Sequence, residues 1–285
     1  MTVPTFPLFL RFLMTIQTAL LQGRQLLEAS NIPAPRLTAE VLLAHAVGCQ
    51  RAWLFAHSDE ELREVWWIHY GRYLHERLKG KPTQHITGVQ EFYGREFRVT
   101  PDVLIPRPET EHVIEAALPL KARRVVDIGT GSGAIAITLA LETGARVVGT
   151  DVSGAALKVA AVNGHALGAE VAWLACDLGG ALQSGGFDLV VSNPPYIAAS
   201  ERAGLEREVR EFEPDVALFG GEDGLAIYRR LVPEAERLLT PGGWLVMELG
   251  HTSAEAVANM LRAWNDIRIH TDLAGLPRVV IAKRC

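Results

Sequence analysis

Hydrophobic positions change their period twice along this chain. From Thr15 to about Gly80, Leu20, Leu21 and Leu27, then Ala39, Leu42, Leu43 and Ala46, recur at helical spacing, which gathers apolar side chains on one helix face. Asn31-Ile32-Pro33-Ala34-Pro35 separates the first helix from the second, because proline lacks the N–H that a continuing helix needs. A third helical run, from Asp59 to about Lys79, carries Leu62, Val65, Trp66, His69, Tyr73 and Leu74. Trp66 and Trp67 are adjacent and so face different sides, one toward a core and one toward solvent. Between Lys81 and Pro108 the helical period is lost. Gly88, Gly94, Pro101, Pro106 and Pro108 punctuate short β-prone runs there, and Gln90 to Val99 predicts a hairpin.

From Arg123 onward strands and helices alternate. Strands are predicted at Arg124 to Ile128, Arg146 to Thr150, Val171 to Ala175, Phe187 to Val191 and Trp244 to Glu248. Helices fall at Ser132 to Leu141, Gly154 to Ala166, Leu225 to Leu239 and Ala254 to Ala263, and a closing strand pair at Ile267 to Asp272 and Arg278 to Ala282. That order predicts an α/β fold with a doubly wound, mostly parallel sheet. The expected organisation is an apolar extension over residues 1–14, a helical domain over 15–80, a hairpin linker over 81–108 and a sheet domain over 109–285.

Composition narrows the function classes. With 28 basic and 33 acidic residues the formal charge is −5, so nothing draws the whole chain to nucleic acid or to an anionic membrane. Cys49, Cys176 and Cys285 are distant and odd in number, without zinc-site spacing. They fit a reducing cytoplasm, with Cys49 and Cys176 as small core residues. His45, His57, His69 and His75 read as packing or surface residues. Val3 to Met14 is apolar, but it carries Pro4, Pro7 and Arg11 and no preceding basic region. It is also shorter than the roughly 18–20 residues that span a bilayer. It is expected to be an extension, with Met14 a candidate initiator.

The candidate chemistry lies at the carboxyl ends of the predicted strands. Gly129-Thr130-Gly131-Ser132-Gly133-Ala134 follows the first of them and opens a helix. Glycines there let a ligand approach the backbone, and a helix N-terminus offers N–H groups to it. Gly129, Gly131 and Ala134 also satisfy the dinucleotide pattern, with Asp151 about twenty residues on. The turn and Asp151 therefore point to an adenosine-bearing cofactor without choosing among them. Asp151 can accept from two ribose hydroxyls, or Asp151-Val152-Ser153 can cap the next helix. Asp177, ending the third strand, can accept from an adenine amine or simply be solvated, and Leu178 beside it offers an apolar wall for a ring.

The fourth strand delivers Ser192-Asn193-Pro194-Pro195-Tyr196. Neither proline can donate, and each fixes its φ, so the turn is stiff and rich in acceptors. Asn193 and the Pro194 carbonyl can face a ligand while Tyr196 supplies a flat wall. A planar NH2 group has two hydrogens for such acceptors and a face to stack. Alternatively the segment is a tight turn closed by a core tyrosine.

Together these residues resemble the HemK/PrmC family of S-adenosylmethionine-dependent methyltransferases. The likeness rests on Phe92-Tyr93-Gly94, Val103 to Glu111, Asp127 to Ala136, Ser192 to Ile197, Asp223-Gly224-Leu225 with Tyr228-Arg229, Pro241-Gly242-Gly243 and Asp272 to Gly275. The proline turn alone is shared with adenine and cytosine amino-methyltransferases; the run Ile105-Pro106-Arg107-Pro108 and the helical domain make the match specific. The resemblance implies a class I, Rossmann-like methyltransferase domain, with the helical domain docking the substrate protein. It implies S-adenosyl-L-methionine as cofactor, held by Gly129 to Gly133, Asp151, Asp177, Leu178 and Asn193. It implies a catalytic and substrate-binding turn, Asn193, Pro194, Pro195 and Tyr196, that methylates the GGQ glutamine of class-1 peptide chain release factors, without a metal. Two departures stand out. Leu178 replaces a frequent tryptophan, and Gly250-His251-Thr252-Ser253 lacks the glutamine usual there. Arg107 and Glu109 either order the substrate loop or join the domains. Competing readings are an adenine amino-methyltransferase on DNA or RNA, a nicotinamide-dependent dehydrogenase and a non-catalytic adenosine-binding module.

Overall fold

The computed structural model describes residues 14–285, so the expected extension lies, Met14 apart, outside the described residues. The chain forms two compact units, one ending at Thr87 and the other running from Gly88 to Cys285.

The first unit contains α1 (Ile16–Ala29), α2 (Pro35–Val47), α3 (Arg51–Ala56), α4 (Glu64–Leu78) and α5 (Thr83–Thr87). Thr15 caps α1, its hydroxyl accepting from the Thr18 amide at 3.2 Å, and Gly48 ends α2 with φ +78°. Ile16, Leu27, Leu42, Leu43, Leu54 and Tyr70 are fully buried. Gly23 is required by Tyr70: a Cβ there would lie 1.8 Å from the phenolic oxygen. The third helical run starts five residues later than its periodicity suggests. Residues 59–63 instead turn back onto the start of α1, where the Leu62 amide donates to Met14 O at 2.7 Å. Trp66 and Trp67 are both half-buried, neither wholly core nor exposed, and Arg63 sits 4.6 Å over the Trp66 ring. The helices α3 and α5 have six and five residues, too few for a period to register.

The second unit opens with the hairpin that the sequence predicts, β1 (Val89–Phe92) and β2 (Arg95–Arg98), which turns at Tyr93-Gly94. After α6 (Glu111–Ala117) come β3 (Arg124–Ile128), α7 (Ala134–Thr143), β4 (Arg146–Asp151), α8 (Gly154–Leu167), β5 (Val171–Ala175) and β6 (Phe187–Ser192). Then follow α9 (Arg207–Phe212), α10 (Asp215–Leu218), α11 (Ala226–Leu238), β7 (Leu239–Glu248), α12 (Ala254–Met260), β8 (Asn265–Thr271) and β9 (Pro277–Lys283). The seven-stranded sheet has the order β5-β4-β3-β6-β7-β9-β8. Its first five strands are parallel, and β9 and β8 close it antiparallel. The doubly wound, mostly parallel fold is thus as expected. Residues alternate between faces: Val125, Leu189 and Val246 meet the helices α6 and α7, whereas Val126, Val190 and Leu245 meet α11 and α12. The bulge at Pro241-Gly242-Gly243 shifts the register of β6 against β7, which lengthens β7 beyond its predicted span.

Two side chains without a place in the motif reading organise the region beneath the glycine turn. Asn163, 2% exposed, accepts from the Arg98 amide at 2.8 Å and donates to Arg98 O at 3.0 Å and Ser132 O at 2.9 Å. One carboxamide thus ties the hairpin, α8 and the glycine turn together. Trp173 pairs with Gly149 across β4 and β5, and its indole covers three glycines. A Cβ at Gly149, Gly133 or Gly164 would lie 2.5, 3.0 or 3.3 Å from that ring. At Gly149 and Gly164 glycine is needed for close approach rather than for a turn; Gly133, with φ +83°, needs it for both.

Gly149→Ala is therefore expected to overpack this seat and destabilise the second unit by about 1–3 kcal/mol. Chemical denaturation of the variant against wild type measures it; equal midpoints would mean the indole relaxes freely.

Candidate active site

In this order of strands β3 and β6 lie side by side at the point where the winding reverses, the place where open α/β sheets bind ligands. The Ser192 hydroxyl donates to Ile128 O at 2.7 Å and locks the two strand ends together. The glycine turn leaves one end and the proline turn leaves the other. Between them opens a cavity of about 360 Å³ lined by Gly129, Thr130, Gly131, Ser132, Asp151, Asp177, Leu178, Asn193, Pro194 and Pro195, among others. Gly133 is absent from that lining; it lies behind the turn, against Ile137 and Trp173. A second cavity, about 220 Å³, is walled by Tyr196, Ile197, Leu205, Val209 and Leu218. Asn193, Pro194 and Pro195 line both, so the proline turn stands where the two meet.

Asp151 holds the glycine turn. It accepts from the Gly131 amide at 2.9 Å and from the Ser153 amide at 2.8 Å. The helix cap is Ser153 itself, whose hydroxyl accepts from the Ala156 amide at 3.2 Å. Gly129 and Gly131 have φ +74° and +55°, and a Cβ at either would meet nothing within 4 Å. Their bare backbone forms a cradle open to the cavity. Beneath it Asp127, wholly buried, accepts from the Thr130 hydroxyl at 2.6 Å and the Ala136 amide at 3.2 Å. Burial pushes its carboxyl up to about 7 against those two hydrogen bonds, with a further push from Asp151.

Asp177 is paired with Arg230 at 2.5 Å, and both side chains are more than half exposed. Such a pair is worth about 0–1 kcal/mol, so the carboxylate stays open to a competing donor. Leu178 beside it adopts φ +51°, a left-handed backbone uncommon for a bulky residue, and lines the cavity. Cys176 also lines it; it and Cys49 are half-buried rather than core residues. Among the described residues no cluster of His, Cys, Asp or Glu could hold a metal.

The proline turn is walled by glycines. A Cβ at Gly224 would lie 2.3 Å from Tyr196 O, one at Gly220 2.6 Å from Pro195 O, and one at Gly250 3.0 Å from the Tyr196 ring. This accounts for the Asp223-Gly224-Leu225 motif, whose Asp223 is held by Arg229 at 2.5 Å. Arg107 pairs with Glu213, and the Ile105 amide donates to the same carboxylate at 3.3 Å. The arginine therefore fastens residues 105–107 to the segment after α9.

Two buried side chains escaped the sequence reading. Thr110 and Glu248 are 4% and 2% exposed. Asn193 Nδ2 donates to Thr110 Oγ1 at 3.0 Å, and Thr110 Oγ1 donates to Glu248 Oε2 at 2.6 Å. The Tyr196 hydroxyl donates to Glu248 Oε1 at 3.3 Å. Burial pushes Glu248 up to about 7, opposed by the Thr110 and Tyr196 hydrogen bonds.

Against known proteins, the family model for the PrmC N-terminal domain matches residues 18–88. That for the methyltransferase small domain matches residues 110–208. The chain is 45% identical over 277 residues to the release factor glutamine methyltransferase of Koribacter versatilis, covering 95% of this chain and 99% of that protein. The protein of the same name from Nitratidesulfovibrio vulgaris is 41% identical over 281 residues, covering 95% of each. Among solved structures, a methyltransferase from Pyrococcus furiosus shares the fold with a TM-score of 0.52 at 18% identity, over 68% of this chain and 90% of that one.

Asp127 carries a pH signature. Its folded pKa lies above the usual carboxylate value, so its contribution to stability is full below about pH 4 and lost as pH rises to about 7. Asp127→Asn removes that dependence. In denaturation at pH 5 to 8, the variant should gain on wild type as pH rises; a pH-independent difference would mean Asp127 titrates normally.

Proposed function

The chain belongs to the release factor glutamine methyltransferases, and from this we propose that it methylates the side-chain amide nitrogen of the GGQ glutamine in class-1 release factors, at the Asn193–Tyr196 turn. The observation that carries the reading is that Asn193 and Pro194 line both cavities. A cofactor in the larger one and a glutamine side chain in the smaller would meet at that turn.

Bound S-adenosylmethionine supplies an electrophilic methyl group on its sulfonium. The larger cavity suits it through the bare cradle of Gly129 and Gly131, carboxylates for hydroxyl and amine groups, and apolar walls. We assign the cradle to Gly129, Thr130, Gly131 and Ser132, with Gly133 supporting them from behind. Asp151 would take the ribose, using lone pairs beyond those on the Gly131 and Ser153 amides. Asp177 would take the adenine amine in exchange for Arg230, and Leu178 would flank the ring.

An amide nitrogen is a weak nucleophile because its lone pair is delocalised into the carbonyl. In this reading Asn193 Oδ1 and the Pro194 carbonyl each accept one of its hydrogens, and the Tyr196 ring confines the amide plane. Both acceptors interact more strongly as positive charge develops on nitrogen, which favours the transition state over the ground state. Orientation at short range supplies much of the remainder, on the order of 7–11 kcal/mol where alignment is good. Pro194 is buried, which keeps its carbonyl fixed. A glutamate in place of the glutamine would leave both acceptors unpaired, at roughly 1–3 kcal/mol each.

The helical unit is assigned to docking the factor, since a GGQ loop alone offers little area. Leu21, Leu26, Phe55, Val65 and Ile68 lie exposed on it. The unpaired cysteines support action in a reducing cytoplasm. Among the described residues no helix is long and apolar enough to cross a membrane.

The test is transfer of labelled methyl to a purified class-1 release factor, to its GGQ glutamine-to-alanine variant and to duplex DNA. Label on the wild-type factor only is expected, and label on DNA would favour the nucleic-acid amino-methyltransferase instead. Asn193→Ala should lower turnover by about 10²–10³-fold while calorimetric cofactor affinity changes little. Unchanged turnover would remove the turn from the mechanism.

A further inference from the structure

We propose that Thr110 and Glu248 are positioning residues that fix which end of the Asn193 carboxamide meets the substrate, so that it presents oxygen and not NH2. This rests on the functional reading above and goes beyond it, because the acceptor role of Asn193 is not a property of asparagine alone. A carboxamide has a donor end and an acceptor end of nearly the same shape, and a half-turn exchanges them. Presented the wrong way round, it would set its own NH2 against the substrate's NH2.

The structure contains a device that forbids this. A threonine hydroxyl has one hydrogen. Thr110 donates it to Glu248 Oε2 at 2.6 Å, and Glu248 in its ionised form can only accept. The Thr110 oxygen is then left to accept, and the donor it meets is Asn193 Nδ2 at 3.0 Å. Reversing Asn193 would place Oδ1 against a hydroxyl whose hydrogen is already committed. Oδ1 is thereby the end left for a ligand in the cavities that Asn193 lines. The other oxygen of Glu248 accepts from Tyr196 at 3.3 Å, so one carboxylate governs both flanks of the proline turn. It is held in place by its strand: the Glu248 carbonyl accepts from the Tyr228 hydroxyl at 2.8 Å, and that hydroxyl also accepts from the Gly250 amide at 3.2 Å.

The chain of hydrogens also connects distant parts of the sequence. Thr110 precedes α6, Asn193 follows β6 and Glu248 ends β7. No short motif contains all three.

The test compares Thr110→Val, which keeps the shape and loses the hydroxyl, with Thr110→Ser, which keeps the hydroxyl and loses the methyl. Substrates are a release factor and, as competing inhibitor, its GGQ glutamine-to-glutamate variant. Thr110→Val should lower kcat about tenfold or more with calorimetric cofactor affinity unchanged. The preference of wild type for glutamine over glutamate should narrow by a similar factor, since a reversible Asn193 can offer NH2 to a carboxylate. Thr110→Ser should restore both within about threefold. Thermal unfolding and cofactor titration report folding; should Thr110→Val not fold, Thr110→Ala takes its place. Label transfer by wild type with kcat and preference unchanged in Thr110→Val would overturn the inference alone. So would a Thr110→Ser as impaired as Thr110→Val, which would make the role one of packing. A wild-type chain that labels no release factor would overturn the functional reading, and this inference with it.

Discussion

The pairing of β3 with β6 is the constraint from which the site follows. Strand order places two unrelated turns at one edge of the sheet, and the Ser192 hydroxyl on Ile128 O fixes their spacing. One turn is all backbone, because its residues are small; the other is rigid, because its residues are proline. A loose glycine loop and a stiff proline turn need different supports. The first rests on Trp173 and Asn163 and is held from the side by Asp151. The second is boxed in by Gly220, Gly224 and Gly250 and tied below to Thr110 and Glu248.

Much of this was legible in the sequence because it is local. Strands such as Arg124–Ile128 and Val171–Ala175 announce themselves as apolar runs bounded by turn residues. The glycine turn and Asn193-Pro194-Pro195-Tyr196 follow strand ends directly, so their place at the sheet edge required only the strand assignment. Illegible were residues whose meaning arises from contacts across the chain. Asn163 lies mid-helix and looks like any polar helical residue, yet it bridges Arg98 and Ser132. Trp173 alternates as a strand residue should, and nothing near it in sequence reveals three glycines beneath its ring. Thr110 and Glu248 are separated by 138 positions. Glycines carried a partial signal: Gly224 and Gly250 stood within recognisable motifs, but the reason for Gly250 is Tyr196 and not its own turn, and Gly224 answers to Tyr196 as well as to its φ of +74°.

Electrostatics separates two kinds of acid in the second unit. Asp177, Asp223 and Asp188 lie toward the surface with arginine partners, and those partners hold Asp223 and Asp188 below the usual carboxylate range. Asp127 and Glu248 lie in the interior, bound mainly by hydroxyls and an amide, and both are pushed toward neutrality. A charge without a counter-charge is a poor way to stabilise a fold. In its ionised form such a group dictates the direction of hydrogen bonds, because an acceptor that cannot donate leaves its neighbours no choice. The interior acids lie under the two turns, where direction matters most.

The two acceptors of the proline turn have a consequence for what happens after transfer. On the proposed reading, a primary amide would bring two hydrogens to Asn193 Oδ1 and the Pro194 carbonyl, and both would be satisfied. Its singly methylated product retains one, and the added carbon occupies the place of the other. One acceptor would then be left without a partner at roughly 1–3 kcal/mol, so the proposed site would hold what it makes less firmly than what it takes in. The same mismatch makes a doubly methylated nitrogen an unwelcome outcome. A pair of lone pairs therefore counts to one and lets go.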